Sequence, residues 1–257
     1  MKTVGIAGYG YVGRAVNSAM KRWHGTVVVD PAFEEFADNK LTGDLDGIVI
    51  CVSTPENDDG SCDMTNVIDV INTSPKKVPI LIKSTISIDG WTQIITDFPD
   101  HYICFSPEFL RAKTAEEDFK NTKEMYISKE KTGSHKHWKE LFRNCMPFIN
   151  VTYFDPEELI LGKYFRNSFL ATKVIFFNQI YDLCKKKNID FENVRKIVTD
   201  DNRIGDSHSE VTEERGFGGH CFPKDTSAIV DTAKNDNVDL TLIEEAIEYN
   251  NNVRKKG

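Results

Sequence analysis

The sequence lacks the features that mark a membrane protein, a secreted disulfide framework or a nucleic-acid-binding surface. No apolar run approaches the roughly 20 residues needed to span a bilayer, and the amino terminus reaches its glycines too early for a signal peptide, so we expect a cytoplasmic protein. The six cysteines include no CxxC pair and the six histidines no HExxH motif, so we expect reduced thiols and no metal site. The formal net charge of -8 argues against binding to nucleic acid or to an anionic membrane, since either needs a basic stripe.

The length and the pattern of apolar residues predict two domains. A chain of 257 residues with 40% hydrophobic content can bury two modest cores. Up to about residue 150, short apolar segments alternate with polar loops, whereas helical periodicity dominates beyond it. We therefore predict an α/β protein with an N-terminal, doubly wound Rossmann sheet over 1–150, followed by an all-α domain with a long central helix over 151–257. Cys51 and Cys104 lie in apolar runs and are expected to be small core residues.

A glycine-rich motif follows the first predicted strand and opens a helix. A second predicted strand then ends at Asp30, which completes the order of elements found in dinucleotide-binding sites. Glycines there permit a tight turn and close approach of a pyrophosphate, and the helix N-terminus attracts its negative charge. Asp30 would bind ribose hydroxyls and repel a 2′-phosphate, so we predict NAD rather than NADP. The predicted cofactor residues are Gly8, Gly10, Tyr11, Val12, Gly13 and Asp30.

Polar residues also follow the next predicted strands, at 53–55, 84–85 and 106–111. Loops at the carboxyl edge of a parallel sheet commonly bind ligands, which makes Thr54 a candidate cofactor contact and Glu108 a candidate acid or base. A strand-end glutamate can equally be a solvated surface residue. A strand over 123–128 is expected to close the sheet, and His135 and His137, in the charged segment that follows, are expected to be solvated.

The stretch from Asp155 to Glu158 has the composition of a helix start, with a capping residue, a proline and two acids. It predicts a helix that ends near residue 186. Lys163 and Asn167 are four residues apart and share a face of this helix. Asparagine costs roughly half a kcal/mol inside a helix relative to alanine, so this polar pair among aromatic residues suggests a site. The alternative is a helix that passes from core to surface.

The most distinctive stretch is Gly216-Phe217-Gly218-Gly219-His220-Cys221-Phe222-Pro223-Lys224-Asp225. Its three glycines indicate positive φ angles or a close approach of the main chain to a ligand. Pro223 suits the first turn of a helix, so Cys221 should lie at a loop-to-helix junction, where the helix dipole and Lys224 favour the thiolate. Asp225 could orient a water or accept a proton. The alternative is a glycine-rich turn with a buried cysteine.

Together these stretches resemble the UDP-glucose/GDP-mannose dehydrogenase family, and the resemblance covers the chain from end to end. It is carried by the glycine motif at 8–13, Ser53-Thr54-Pro55, Lys83-Ser84-Thr85, Ser106-Pro107-Glu108-Phe109-Leu110-Arg111, Lys163 with Asn167, Asn202-Arg203-Ile204-Gly205, and the cysteine stretch. It implies the four-electron oxidation of the C6 alcohol of a nucleotide sugar, with UDP-glucose as the first candidate. Two NAD molecules would be used, and a homodimer would form through the long helix that starts near Asp155.

The resemblance also implies roles for individual residues. Cys221 would form a thiohemiacetal and then a thioester, which water hydrolyses with Glu108 or Asp225 as base. Lys163 and Asn167 would stabilise the oxyanion. Thr85 is expected near the cofactor and a catalytic water, and Lys224 near the cofactor pyrophosphate or the nucleophile. The expected substrate contacts are Glu108, Phe109, Leu110, Arg111, Lys163, Asn167, Arg203, Phe217, Gly218 and Gly219.

Two departures from the family pattern leave alternatives open. Ala112 stands where members usually carry a second glutamate, and the family's third region, which grips the nucleotide, is not recognised in this sequence. One alternative is a two-electron hydroxyacid-type dehydrogenase, with Lys163 as general acid/base and Cys221 incidental. Another is a non-catalytic, NAD-binding partner subunit. The intact set of polar residues around Cys221 and Lys163 favours the catalytic interpretation.

Overall fold

A computed structural model describes residues 1–57 and 60–254 of the chain. These residues form two compact units: the first comprises Met1–Asn57 and Cys62–Lys163, and the second contains residues 60–61 and 164–254. The division falls inside a long helix, later than the boundary near residue 150 expected from sequence, and the domain ranges 1–150 and 151–257 stay a prediction. Among the described residues, no helix is both long and apolar enough to cross a membrane.

A five-stranded parallel sheet forms the centre of the first unit, with the strand order β2-β1-β3-β4-β5. Its strands are rich in valine and isoleucine, as expected for strands buried on both faces. The strands and the helices that connect them are β1 (Thr3–Ala7), α1 (Tyr11–Met20), β2 (Gly25–Val29), β3 (Gly47–Ile50), α2 (Thr65–Thr73), β4 (Ile80–Ile82), α3 (Ile88–Asp97) and β5 (Ile103–Phe105).

The register of the sheet brings the carboxyl ends of all five strands to one edge. Ala7 pairs with Val29 on one side and Ile50 on the other, and the alignment continues through Ile82 to Phe105. The strand order reverses between β1 and β3, which is where open α/β sheets bind ligands. The doubly wound fold predicted from sequence is confirmed, and the loops that carry its candidate site residues begin at this edge.

A second, two-stranded parallel sheet follows. It pairs β6 (Glu124–Ser128) with β7 (Asn150–Phe154), so the prediction that residues 123–128 close the main sheet is wrong. The physical reason is local: the Ser128 hydroxyl accepts a hydrogen bond from the Phe105 N–H at 2.7 Å, which places a side chain where a main-chain ladder would continue. A 3-10 turn (Ala112–Thr114), α4 (Ala115–Lys120) and α5 (Ser134–Cys145) complete this region.

The expectation that His135 and His137 are solvated is also wrong, because α5 packs on the core through Trp138, which is completely buried. His137 Nε2 lies 2.7 Å from the Asp46 carbonyl oxygen, and the His135 Nδ1 accepts from the Glu130 N–H at 3.1 Å. Both rings are half-buried. Burial, with a contribution from the charge of Lys2, lowers the pKa of His137 below its usual value of 6.5.

The regular elements described from Tyr164 onwards are helices, as predicted. They are the continuation of α6 (Pro156–Lys187), followed by α7 (Phe191–Thr199), α8 (Phe222–Asn235) and α9 (Thr241–Val253). One apolar cluster of this unit joins α6 and α9 to a loop residue and contains Ala171, Ile175, Phe217 and Ala246; a second contains Phe177, Cys184 and Phe191. The sequence-based bounds of α6 agree with the structure because its start carries strong capping signals.

Candidate functional site

The three glycines of the loop between β1 and α1 have different structural roles. Gly8 has a φ of +90°, and an added Cβ would lie 2.7 Å from the Cys51 carbonyl, while a Cβ on Gly13 would overlap the Gly8 carbonyl oxygen. Gly10, the residue before α1, has an ordinary φ of -66° and no atom within 4 Å of an added Cβ. Gly8 and Gly13 therefore let the loop close on itself, and Gly10 faces open space that a ligand could use.

Asp30, immediately after β2, is held as a dinucleotide site requires. Its Oδ2 accepts from the Tyr9 N–H at 2.6 Å and its Oδ1 from the Ala32 N–H at 2.9 Å. A carboxylate has about four lone-pair positions, so two hydrogen bonds leave acceptor capacity for ribose hydroxyls. The first turn of α1 contains no acidic residue that would repel a pyrophosphate. These residues fit NAD.

The other predicted cofactor residues of the first unit lie on or next to this edge of the sheet. Tyr11 and Val12 form the first turn of α1 and are half-buried. Thr54, which follows β3, is buried, and Thr85, which follows β4, is half-buried and accepts a hydrogen bond from the Cys62 thiol through its carbonyl oxygen. Their contacts with a cofactor stay predictions.

A buried ion pair joins Lys83, at the end of β4, to Glu108. Lys83 Nζ lies 3.0 Å from Glu108 Oε2, with the two side chains only 2% and 10% exposed. The ammonium also lies 3.4 Å from Ser106 Oγ and 5.7 Å from the centre of the Phe119 ring, and Glu108 Oε1 accepts from the Phe109 N–H at 2.8 Å. Glu108 is therefore not the solvated strand-end residue that the sequence left open.

The side chain of Lys163, on α6, contacts the main chain of the same segment. Its Nζ donates to the Glu108 carbonyl oxygen at 2.7 Å and lies 5.9 Å from the centre of the Phe109 ring, and the residue is buried. The structure thus brings together Lys163, Glu108 and Phe109 among the predicted site residues. Leu110, next in the chain, packs against the hydrophobic core.

A second cluster surrounds Asp225, in the first turn of α8. Its side chain is completely buried; Oδ1 lies 2.7 Å from Lys224 Nζ, and Oδ2 accepts from the Asn167 amide at 2.6 Å. A buried carboxylate is retained at low cost only when it is paired and hydrogen-bonded, and here both oxygens are. This cluster brings together three of the predicted residues from two helices.

Cys221 is the residue immediately before α8, so the predicted loop-to-helix junction is present. Its carbonyl oxygen accepts the Asp225 N–H at 2.8 Å, the thiol forms no disulfide, and the residue is half-buried. Cys51 and Cys104 differ in being core residues, as expected, and burial raises the pKa of each thiol to about 12. Cys221 instead lies directly before a 14-residue helix and is not part of either core.

Two of the three glycines before Cys221, Gly216 and Gly219, have the positive φ angles expected from the sequence, and the substrate contacts expected at Gly218 and Gly219 stay predictions. An added Cβ on Gly216, whose φ is +57°, would overlap the Asn250 amide, and one on Gly218 would overlap the Arg254 guanidinium. These two glycines make room for side chains of the same unit. Gly219, with a φ of +78°, is exposed and has no atom within 4 Å of an added Cβ.

Two arginines expected to bind substrate are each paired with an aspartate. Arg111 forms a bidentate pair with Asp118, at 3.0 and 2.6 Å, which raises the pKa of Arg111 and lowers that of Asp118. Arg203 contacts both oxygens of Asp201, and its side chain is 89% exposed. Each aspartate contacts Nε and one terminal nitrogen of its guanidinium, and the substrate roles of both arginines stay predictions.

Sequence reasoning assigned no role to three residues that make buried polar contacts in the structure: Lys83, Asn178, whose Oδ1 accepts from the Gly216 N–H, and Asn250, whose Oδ1 accepts from the Phe217 N–H. Lys83 was visible as a charged residue ending an apolar strand, and Asn178 as an asparagine inside a helix, the signal that singled out Asn167. Asn250 lies in a run of three asparagines that offered no means of choosing among them. The structure distinguishes it by burial, since it is 5% exposed and the other two asparagines of the run are exposed.

Comparisons with known proteins agree with this geometry. Residues 32–146 match the profile of the UDP-glucose/GDP-mannose dehydrogenase family, NAD binding domain, and residues 158–252 match the central domain of the same family. NAD, the cofactor predicted from the sequence, is thus the one for which the matched domain is named. The chain is 34% identical over 234 residues to a UDP-glucose 6-dehydrogenase of Rickettsia felis, covering 85% of this chain and 50% of the relative. It is 34% identical over 250 residues to the UDP-glucose 6-dehydrogenase YwqF of Bacillus subtilis, covering 88% and 56%.

Solved structures show the same fold. A UDP-glucose dehydrogenase from Pyrobaculum islandicum superposes with a TM-score of 0.80 at 22% identity, covering 98% of this chain and 68% of that one. A 3-hydroxyisobutyrate dehydrogenase of Mycobacterium tuberculosis gives a TM-score of 0.72 at 14% identity, covering 97% and 92%. The chain spans about half the length of the curated relatives it matches.

Proposed function

Because the chain belongs to the UDP-glucose/GDP-mannose dehydrogenase family, we propose that it carries out the NAD-dependent oxidation of a nucleotide sugar at C6, from alcohol to carboxylate, with UDP-glucose as the first candidate. The observation that carries this proposal is Cys221 at the N-terminus of α8, followed within one turn by a buried Asp225 that contacts Lys224 and Asn167. A two-electron dehydrogenase has no need of a nucleophile, whereas a four-electron oxidation needs a group that retains the aldehyde.

Cys221 would hold the substrate between the two oxidations. Removal of two electrons converts the alcohol to an aldehyde, and the thiolate adds to its carbonyl carbon to form a C–S bond and a thiohemiacetal. Removal of two more electrons leaves a thioester. Attack by water then breaks the C–S bond, releasing the carboxylate and the thiol. When bound, NAD accepts the hydride of each oxidation.

The oxyanions that form during these steps need hydrogen-bond donors. The Asn167 amide donates to Asp225 Oδ2, and the Lys163 ammonium donates to the Glu108 carbonyl oxygen. Both side chains are hydrogen-bond donors, and we assign both to the stabilisation of the oxyanions. Loss of one such donor typically costs about 2.7 to 4 kcal/mol of transition-state stabilisation.

Asp225 and Glu108 are the candidate bases for the hydrolytic water. Both oxygens of each carboxylate are held, those of Asp225 by Lys224 and Asn167 and those of Glu108 by Lys83 and the Phe109 N–H. The variant that removes the base should complete both oxidations once and then retain the acyl group on Cys221. Intact-protein mass spectrometry of Asp225→Asn and Glu108→Gln after mixing with NAD and UDP-glucose would identify which residue acts.

The first experiment is to count the NADH formed per sugar by the purified chain with NAD and a panel of nucleotide sugars led by UDP-glucose. The proposal requires two NADH per sugar and less than about one-thousandth of that rate in Cys221→Ala, as for removal of a covalent nucleophile. Cys145→Ala is the matched control, since Cys145 is also half-buried but lies on α5 in the first unit. One NADH per sugar with Cys221→Ala active would favour the two-electron dehydrogenase, and NAD binding without turnover would favour a non-catalytic partner subunit.

We also propose a homodimer formed through α6. Four of its apolar side chains are exposed, namely Phe165 (43%), Phe169 (69%), Phe176 (52%) and Leu183 (61%). Their spacings of four, seven and seven residues place them on one face of the helix, and an exposed apolar stripe of this kind is typical of a protein interface. Light scattering should give a dimer mass for the wild type and a monomer mass for Phe169→Glu. A monomeric wild type at high concentration would contradict this proposal.

A further inference from the structure

We propose that Asn178 and Asn250 are positioning residues that hold the segment 215–217, and through it Cys221, in the geometry needed for catalysis. The inference rests on the proposed function in taking Cys221 as the nucleophile. Each asparagine lies on a different helix of the second unit, Asn178 on α6 and Asn250 on α9, and together they are called the asparagine clamp below.

The asparagine clamp accepts hydrogen bonds from two successive main-chain N–H groups. Asn178 Oδ1 accepts from the Gly216 N–H at 3.1 Å, and Asn250 Oδ1 accepts from the Phe217 N–H at 2.7 Å. The two asparagines are 1% and 5% exposed. A buried N–H group that loses its acceptor keeps the full free-energy cost of its desolvation. Each asparagine amide oxygen therefore stabilises this conformation of the loop relative to others.

The segment needs such support because its backbone is strained. Arg215 has a φ of +60°, in the left-handed region that side chains disfavour. Its guanidinium donates to Asn178 Oδ1 at 2.8 Å and to Asp182 Oδ1 at 2.8 Å, and stacks 4.9 Å from the centre of the Tyr181 ring. Strain held by several converging contacts is characteristic of functional segments.

Shape complementarity points to the same role. Gly216 and Gly218 lack the Cβ atoms that would overlap Asn250 and Arg254, and Arg254 donates to the Arg215 carbonyl oxygen at 3.0 Å. Asn250, in the last turn of α9, and Arg254, directly after it, therefore occupy space that side chains at these two positions would take.

The clamp connects to the nucleophile through aromatic packing. Phe217, whose N–H Asn250 accepts, is 4% exposed, and its ring lies 6.4 Å from that of Phe222, the residue directly after Cys221. Releasing Phe217 would loosen the first turn of α8. The Cys221 sulfur would then lose part of its alignment with the N-terminus of α8, which slows its reaction with an electrophile.

The test is the rate at which iodoacetamide alkylates Cys221 at pH 7, measured by peptide mass spectrometry, a readout that needs no turnover. We expect Asn250→Leu to slow alkylation of Cys221 by about two- to fivefold with the rate at Cys145 unchanged. Asn250→Asp, which keeps an acceptor oxygen, should recover most of the loss. Asn251→Leu is the matched control, because Asn251 is exposed on the same turn of α9, and it should react like the wild type.

A folded Asn250→Leu whose Cys221 reacts at the wild-type rate or faster would overturn the proposal. If that variant does not fold, Asn178→Ala replaces it, since it removes the acceptor of the Gly216 N–H and leaves Asn250 in place; slowed alkylation is again expected, and an unchanged rate overturns the proposal. Failure of the proposed function is seen separately, as a wild type that forms no NADH from any nucleotide sugar while the alkylation result stands.

Discussion

Replacing Lys83 by methionine should destabilise the first unit by about 3 to 5 kcal/mol, the cost of leaving one member of a buried ion pair without its partner. Methionine has nearly the length of the lysine stem, so the substitution removes the charge with little change in packing. What remains is the Glu108 carboxylate, 10% exposed, with its Oε2 facing the site of the lost ammonium.

The magnitude follows from distance and burial. At a separation of 3.0 Å and an effective dielectric constant of about 20, two unit charges attract by roughly 5 to 6 kcal/mol. Desolvation of both groups offsets part of this in the intact pair, but the variant still carries the desolvation cost of the carboxylate without the attraction. Replacing Glu108 by leucine in the same chain should therefore recover much of the loss.

The chain contains a matched control at its surface. Lys76 Nζ and Asp100 Oδ2 are also 3.0 Å apart, but these side chains are 66% and 70% exposed. Solvent screens such a pair, so Lys76→Met should cost no more than about 1 kcal/mol. Urea unfolding followed by tryptophan fluorescence reports on the correct unit, because all three tryptophans lie in the first unit. Equal destabilisation by Lys83→Met and Lys76→Met would refute the reasoning.

Two further predictions concern the same unit. Gly10→Ala should weaken NAD binding roughly tenfold without loss of stability, because the φ of -66° at Gly10 suits alanine and the new methyl group meets only open space. Gly13→Ala should instead destabilise the fold by about 1 to 3 kcal/mol, because its methyl group would overlap the Gly8 carbonyl oxygen. Calorimetric titration with NAD measures the first effect and urea unfolding the second, and equal losses of stability in the two variants would contradict these roles. The pKa of His137 is lowered in the folded chain, so its neutral form stabilises the fold above the unfolded pKa of about 6.5 and this contribution is lost as the pH falls through the folded value. Between pH 7 and 5, stability should thus fall less in His137→Gln than in the wild type, and parallel curves would exclude the effect.

Much of the fold followed from patterns that act locally. The strands of the main sheet are short apolar runs that are followed by glycine or polar residues. The start of α6 is marked by Pro156 and by the acidic residues of its first turn. The placement of Cys221 was predictable for the same reason, since Pro223 marks the first turn of a helix and glycines mark the loop before it. In each case the determining residues are neighbours in the chain, so propensity and spacing suffice.

The remaining features depended on partners that are distant in the chain. Lys83 and Glu108 are 25 residues apart, and the sequence around either residue does not predict that the two charges form a buried ion pair. Strand β6 pairs with β7, which was not predicted and whose residues lie 26 positions further along the chain, and a serine hydroxyl of β6 accepts the Phe105 N–H of β5.

The glycine stretch before Cys221 shows the division most clearly. The sequence by itself determined that 216–219 form a loop of unusual backbone conformation, because three glycines in four residues disfavour helix and strand and permit positive φ angles. Only the tertiary structure decided what those glycines make room for, since Asn250 and Arg254 approach from a helix more than thirty residues further along the chain. Local steric preference is encoded residue by residue, whereas the identity of a contacting side chain is settled only when helices pack.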